Sequence, residues 1–153
     1  MENKAAGLLG IGLLGTALAE RLMRAGYSVH GYDVSPEARR KFTEAGGQPA
    51  AGVSNVVAAA DCILLSLPDS NVVKDVLAEM LPHLKAGAVV IDTTTGTPKV
   101  SRDLAAGLAE SNVEFVDSCV LGSSEVTRQG EATLLVGGSS AGVQKVRGIL
   151  DAI

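Results

Sequence analysis

Gly10-Ile11-Gly12-Leu13-Leu14-Gly15 lies between an apolar approach (Ala5, Ala6, Leu8, Leu9) and a helical run that stops at Gly26, and a second short strand then closes on Asp33. This is the layout of a dinucleotide-binding βαβ unit, in which the glycines, the helix and an acidic residue roughly twenty positions on have separate tasks. Gly10 lets the chain leave the strand in a tight turn, Gly12 presents no Cβ to a pyrophosphate, and Gly15 lets the helix pack on the sheet. The free N–H groups and positive dipole end of a helix starting at Leu13 and Leu14 would face the phosphates. Asp33, followed by Val34 and Ser35, ends the second strand where a carboxylate accepts hydrogen bonds from an adenosine ribose. That favours NAD over NADP, whose 2′-phosphate would meet a negative charge. Two competing readings stay open. Asp33 is also compatible with an ordinary turn before a helix capped by Ser35 and entered through Pro36. Arg39 and Arg40, on that next helix, keep NADP open by offering charge to a 2′-phosphate.

Outward from this unit, strands and helices alternate to the end of the chain. Hydrophobic periodicity predicts helices over 13–25, 36–44, 71–80 and 98–110, another capped by Ser54, and a last one from Ala141. Strands are predicted over 28–32, 48–50, 62–67, 88–92, 114–120 and 133–136, and His83 falls in a loop. The continuous apolar runs at 62–67 and 88–92 are what parallel strands covered on both faces require. The expected fold is α/β: a Rossmann-type, doubly wound, mostly parallel sheet with helices on both faces, forming one dinucleotide-binding domain over residues 1–153.

Composition narrows the classes. With 153 residues the chain is long enough to bury a continuous core, and with no Trp, two Phe and two Tyr that core must be aliphatic. Scarce aromatics, a net charge of −4 and no lysine-rich stripe argue against a nucleic-acid partner. No apolar run is long enough to span a bilayer, and Met1-Glu2-Asn3-Lys4 lacks a signal peptide's pattern, so the expectation is a cytoplasmic protein with no membrane partner. Cys62 and Cys119 have no metal-ligand spacing and are read as small apolar residues in strands; no metal is expected. His30 and His83 have no nucleophile or ligand set beside them.

In a doubly wound sheet, ligands bind beyond the carboxyl ends of the strands. Five segments are expected there: the glycine turn, Asp33-Val34-Ser35, Leu67-Pro68-Asp69-Ser70, Asp92-Thr93-Thr94-Thr95-Gly96 and Leu121-Gly122-Ser123-Ser124.

With those segments in view, the chain resembles the N-terminal domain of the β-hydroxyacid dehydrogenases, the group that includes 3-hydroxyisobutyrate dehydrogenase and 6-phosphogluconate dehydrogenase. The resemblance covers essentially the whole length. The glycine turn matches the family's Gly-Leu-Gly-x-Met-Gly, and Leu67-Pro68-Asp69 matches the loop that passes along the cofactor. Asp92 to Pro98 matches Asp-x-Ser-Thr-x-x-Pro, and Asp117 to Ser123 lines up with Asp-Ala-Pro-Val-Ser-Gly-Gly. The resemblance implies that Thr95 lies by the nicotinamide side, with Thr94 beside it among the cofactor-binding residues. It also implies that the segment Gly122-Ser123-Ser124 meets the substrate, a small hydroxy acid or carbonyl compound. This sequence departs from the pattern where the family's substrate-holding serine is Leu121, the neighbouring proline is Cys119 and the second glycine is Ser123. The family's catalytic lysine belongs to a helix beyond the position of Ile153, in a helical domain that also makes most of the dimer interface. Lys99 and Lys145, both read as surface residues, do not replace it.

The expectation is therefore an NAD(P)-binding domain of an oxidoreductase, with no catalytic residue of its own and slow turnover, if any, in isolation. Self-association through surface normally covered by the second domain is a further expectation. The alternatives are a non-catalytic dinucleotide-binding module and, behind it, an S-adenosylmethionine-dependent methyltransferase, which also sets an acidic residue against a ribose.

Overall fold

The computed structural model describes residues 4–153, so most of the N-terminal stretch read for a leader, Met1-Glu2-Asn3, lies outside the described residues. β1 (Ala5–Leu9) is buried along most of its length, and the chain turns from it through Gly10 into α1 (Leu13–Arg24). Leu18 and Leu22 of α1 are fully buried, and Gly26, at φ +86°, supplies the left-handed stop. β2 (Ser28–Tyr32) and α2 (Pro36–Glu44) follow, the latter with Ser35 as its cap and Pro36 at its first position. Next come β3 (Gln48–Pro49), α3 (Val53–Ala59), β4 (Cys62–Leu65), α4 (Ser70–Met80), β5 (Val89–Asp92) and α5 (Pro98–Ala109). The chain finishes with β6 (Glu114–Leu121), α6 (Ser124–Gln129), β7 (Thr133–Gly137), α7 (Ser140–Lys145) and α8 (Arg147–Leu150).

The strand order is β3-β2-β1-β4-β5-β6-β7, parallel throughout except for the antiparallel pair β6–β7. Successive strand residues point to opposite faces, and two apolar clusters result. Leu8, Leu64, Ile91 and Val116 meet Leu18 and Leu22 of α1, Phe42 of α2, and Val146, Ile149 and Leu150 near the chain end. Leu9, Leu65, Val90 and Phe115 meet Val56 of α3, Val73 and Leu77 of α4 and Leu108 of α5. The doubly wound architecture expected from the alternation is thus observed, with a core that is almost entirely aliphatic. β1 and β4 are neighbours although the chain visits β2 and β3 between them, so the winding reverses there and opens a crevice above their carboxyl ends.

Several local expectations fail for identifiable reasons. Ser54 does not cap α3; the cap is Gly52 in an extended conformation, because Val53 is already helical and buried. β4 ends at Leu65 rather than at residue 67: the Leu67 N–H leaves the sheet ladder for the hydroxyl of Thr94. α4 begins earlier than expected because the Asp69 carboxylate accepts from the N–H groups of Asn71 and Val72. His83 lies in a short 3-10 turn, Leu81–His83. α6 has no counterpart among the helices that the periodicity predicts; Ser123 caps it and Gly130, at φ +79°, ends it. The terminal helix begins with Ser139 as cap and breaks in two at Val146.

Candidate functional site

Above the β1/β4 switch point lies a cleft of about 730 Å³. Its floor and rim include Gly10, Gly12, Leu13 and Leu14 from the first turn, Asp33 and Val34 after β2, Leu67 and Pro68 after β4, and Thr94 and Thr95 after β5. Ten of the residues singled out from the sequence therefore face one space.

The three glycines of the turn divide by role. Gly10 has φ +93°, and a Cβ on it would lie 2.1 Å from the Ser66 carbonyl oxygen. A Cβ on Gly15 would lie 2.1 Å from the carbonyl oxygen of Gly10. Both are glycines because the chain's own backbone fills the space. Around Gly12 there is nothing within 4 Å, and its dihedrals (φ −78°, ψ −160°) suit any residue. The chain itself has no need of glycine there. The open space over Gly12, at the start of α1 where unpaired N–H groups point outward, fits a pyrophosphate approaching the main chain.

Asp33 does more than face the cleft. Its Oδ2 accepts from the Ile11 N–H at 2.7 Å and its Oδ1 from the Ser35 N–H at 2.8 Å. The carboxylate thus joins the glycine turn to the start of α2, and with roughly four acceptor positions it keeps capacity for a ribose diol. Ser35, expected both as a helix cap and at the cofactor, caps α2 by accepting from the Ala38 N–H and is not part of the cleft wall. Arg39 does not reach into the cleft wall: its guanidinium donates to the Asp33 carbonyl oxygen and stacks 5.5 Å from the Tyr32 ring centre. Arg40 pairs with Glu44. Where a 2′-phosphate would need a cation, the wall presents Val34, 84% exposed. Among the described residues its charged side chains are Asp33 and Glu79, and no Lys, Arg or His lines it.

The threonine loop stitches the ends of β4 and β5 together. Thr93 Oγ1 donates to the Leu65 carbonyl at 2.7 Å, Thr94 Oγ1 accepts from the Leu67 N–H at 3.0 Å, and the Thr94 N–H donates to Asp92 Oδ1 at 2.9 Å. Burial pushes the Asp92 carboxyl above the usual carboxylate range, hydrogen bonds from Thr94 work against that, and the charge of Asp117 on the adjacent strand adds to it.

The fifth segment does not join the other four. Gly122, Ser123 and Ser124 are outside the cleft wall. β6 continues past Asp117, the partner of the last residue of β5, to Leu121, and the chain then turns onto the α1 side of the sheet. There Arg128 of α6 pairs with Glu20 of α1 at 2.8 Å. The Ser123 hydroxyl accepts from the Val126 N–H, so it serves the helix cap. Gly15 and Asp69 also stand behind the wall, one in packing and one as the cap of α4. Lys99 is exposed and pairs with Asp103 at 2.7 Å, while Lys145 donates to the Gly87 carbonyl. Burial pushes the Cys62 thiol up to about 12, as suits a packing residue, and Cys119 is also free.

Sequence reasoning missed the second wall of the cleft: Tyr32, Val53 at the start of α3, and Val72, Val76 and Glu79 along α4. The four- and three-residue spacing on α4 is a readable signal for a shared face, although not for what that face looks onto.

A parallel sheet with its crevice at the switch point, a glycine turn opening a helix, and an acidic residue after β2 define a dinucleotide-binding Rossmann domain. Residues 5–153 match the family described as the NAD binding domain of 6-phosphogluconate dehydrogenase, and the chain belongs to that family. It is 36% identical to mitochondrial 3-hydroxyisobutyrate dehydrogenase of Mus musculus over 86% of this chain and 40% of that protein. It is 29% identical to 2-(hydroxymethyl)glutarate dehydrogenase of Eubacterium barkeri over 96% of this chain and 50% of that protein. Among solved structures, 3-hydroxyisobutyrate dehydrogenase from Salmonella typhimurium superposes with a TM-score of 0.92 at 27% identity, covering 99% of this chain and 54% of the other. The chain thus spans about half, or less, of the length of these relatives.

Proposed function

We propose that residues 1–153 act as one dinucleotide-binding domain of an oxidoreductase that transfers hydride between nicotinamide and a small hydroxy acid or carbonyl compound. In this reading the N–H groups around Gly12, Leu13 and Leu14 take the pyrophosphate, and Asp33 takes the adenosine ribose. Leu67, Pro68, Thr94 and Thr95 flank the nicotinamide side. Bound cofactor supplies the hydride chemistry; the chain's residues bind it and hold it in place. Gly122, Ser123 and Ser124 belong to the reading only as the far wall of a substrate site beyond the cleft.

NAD is the preferred cofactor on this reading, and the cleft wall without a basic side chain is the observation that carries it. Calorimetric titration with NADH and NADPH tests it. NADH should bind at least about tenfold tighter, one uncompensated phosphate charge being worth more than 1.4 kcal/mol near a carboxylate. Equal or tighter binding of NADPH would overturn the preference. Neither exposed lysine is placed to serve as proton donor, so the isolated chain is expected to turn over slowly if at all. Rapid steady-state reduction of a small aldehyde acid by the chain alone would refute that.

A second reading, a binding module that self-associates, draws on Leu121, Leu135 and Val136. These apolar residues are 49%, 55% and 41% exposed on β6 and the edge strand β7. Sedimentation that shows a monomer at every concentration would exclude it. A cytoplasmic setting accords with two free cysteines, and no helix among the described residues is long and apolar enough to cross a membrane.

A further inference from the structure

Val72, Val76 and Glu79 line the cleft from α4 at intervals of four and three residues, which sets them in one stripe over about 10 Å of helix. Val72 and Val76 are half-buried, and Glu79, at the far end of the stripe, is exposed. Val34 approaches from the loop after β2, on the other side of β1, with its side chain almost wholly uncovered. Its position is set by the adjoining carboxylate, which holds both the Ile11 and Ser35 N–H groups. The cleft wall therefore brings Val34 together with the valines of α4, with Asp33 and Glu79 as its charged side chains.

A planar base suits that space, with its faces on valine methyl groups and its ribose toward Asp33. From this arrangement we infer that Glu79 selects the adenine base of the dinucleotide by accepting a hydrogen bond from its exocyclic amine. An ionised carboxylate only accepts. It therefore matches the amine of adenine and opposes the carbonyl that a 6-oxopurine carries at the same position. Among the described residues no cation lines the cleft wall beside Glu79. The inference rests on the dinucleotide reading of the cleft and adds the residue that distinguishes one purine from another.

The test is calorimetric titration of the 153-residue chain with NADH and with reduced nicotinamide hypoxanthine dinucleotide, in wild type, Glu79→Ala and Glu79→Gln. Wild type should bind NADH roughly five- to tenfold tighter than the hypoxanthine analogue, the scale of one charge-assisted bond at a half-open site. Glu79→Ala should bring the two within about twofold of each other, chiefly by weakening NADH. Glu79→Gln, whose amide can accept from adenine or turn to donate to the 6-oxo group of hypoxanthine, should hold NADH better than Glu79→Ala yet lose most of the preference. Because Glu79 is exposed, both variants should melt with the wild type. Equal binding of the two dinucleotides by wild type, or full preference retained in Glu79→Ala, overturns the role of Glu79 and leaves the cofactor reading standing. Binding of neither dinucleotide by wild type overturns both.

Discussion

Between β1 and β5 the loops at the carboxyl edge are tied to one another by side chains, whereas the hydroxyls of the loop after β6 are spent within its own helix, which docks on α1 through Arg128 and Glu20. Asp33 grips the glycine turn, and Thr93 and Thr94 bind the end of β4. By contrast Ser123 caps only α6, and Thr127 returns a bond to the Ser123 carbonyl. On the first side a rigid ligand meets groups already in position and little ordering has to accompany binding. On the second side the hydroxyls are engaged locally and apolar residues of β6 and β7 stand exposed. The glycine turn, Asp33 and the threonine loop share one cleft, and the loop after β6 lies outside it.

The sharpest way to break this contrast is to separate the glycines. Gly10→Ala should destabilise the fold by upwards of about 3 kcal/mol, since it combines positive φ with a backbone collision. Gly12→Ala should leave the melting temperature nearly unchanged yet weaken NADH by roughly a hundredfold or more, because the added methyl meets only the ligand. Thermal melts beside titrations decide it; equal loss of stability in both variants would mean Gly12 serves the chain after all.

Asp33→Ala comes next in size. It leaves the buried Ile11 N–H unpaired at a cost of roughly 1–3 kcal/mol in stability, and NADH should weaken by a similar amount while NADPH loses less. Chemical denaturation alongside titration separates the two effects. A variant of unchanged stability would show that the Ile11 and Ser35 bonds contribute nothing net.

Asp92 tests the same edge by pH. Its folded-state pKa is raised above the ordinary 3.8, chiefly by burial, so its contribution to stability is fully present below about 3.8 and is lost as pH rises through the raised folded value. Glu37 and Asp103, held low by Lys41 and Lys99, contribute with the opposite sign, so the comparison must be with Asp92→Asn in the same buffers. Urea midpoints across the acid range should fall less steeply with rising pH in the variant. Identical profiles would count against a raised Asp92.

The smallest effect belongs to the other side. Ser123→Ala should cost about 1 kcal/mol through loss of the α6 cap and leave NADH affinity unaltered. A marked drop in NADH binding would bring the loop after β6 back to the cofactor and erase the contrast.

What could be read without coordinates follows the range of the interactions. The turn from Gly10 to Gly15, Asp33 at the end of β2, the cap of α2 at Ser35 and the continuous apolar strands all depend on neighbours within about one turn or one strand, so periodicity and residue type sufficed. The boundaries that shifted depend on partners far along the chain: β4 stops where Thr94 captures the Leu67 N–H, and α3 starts where Val53 is drawn into the core. Ser54 misled because a good capping residue is no cap when its neighbour must be buried.

The residues and their local periodicity already contained the doubly wound sheet, the glycine turn and the acidic residue after β2, since short-range geometry imposes them. Only the folded chain decides that Asp33 also braces the turn, that Arg39 is tied to the Asp33 carbonyl and the Tyr32 ring, that α4 supplies a wall that includes Glu79, and that the Gly122 loop leaves for the α1 face. Each of these depends on which surfaces meet when distant segments pack, and no local pattern encodes that meeting.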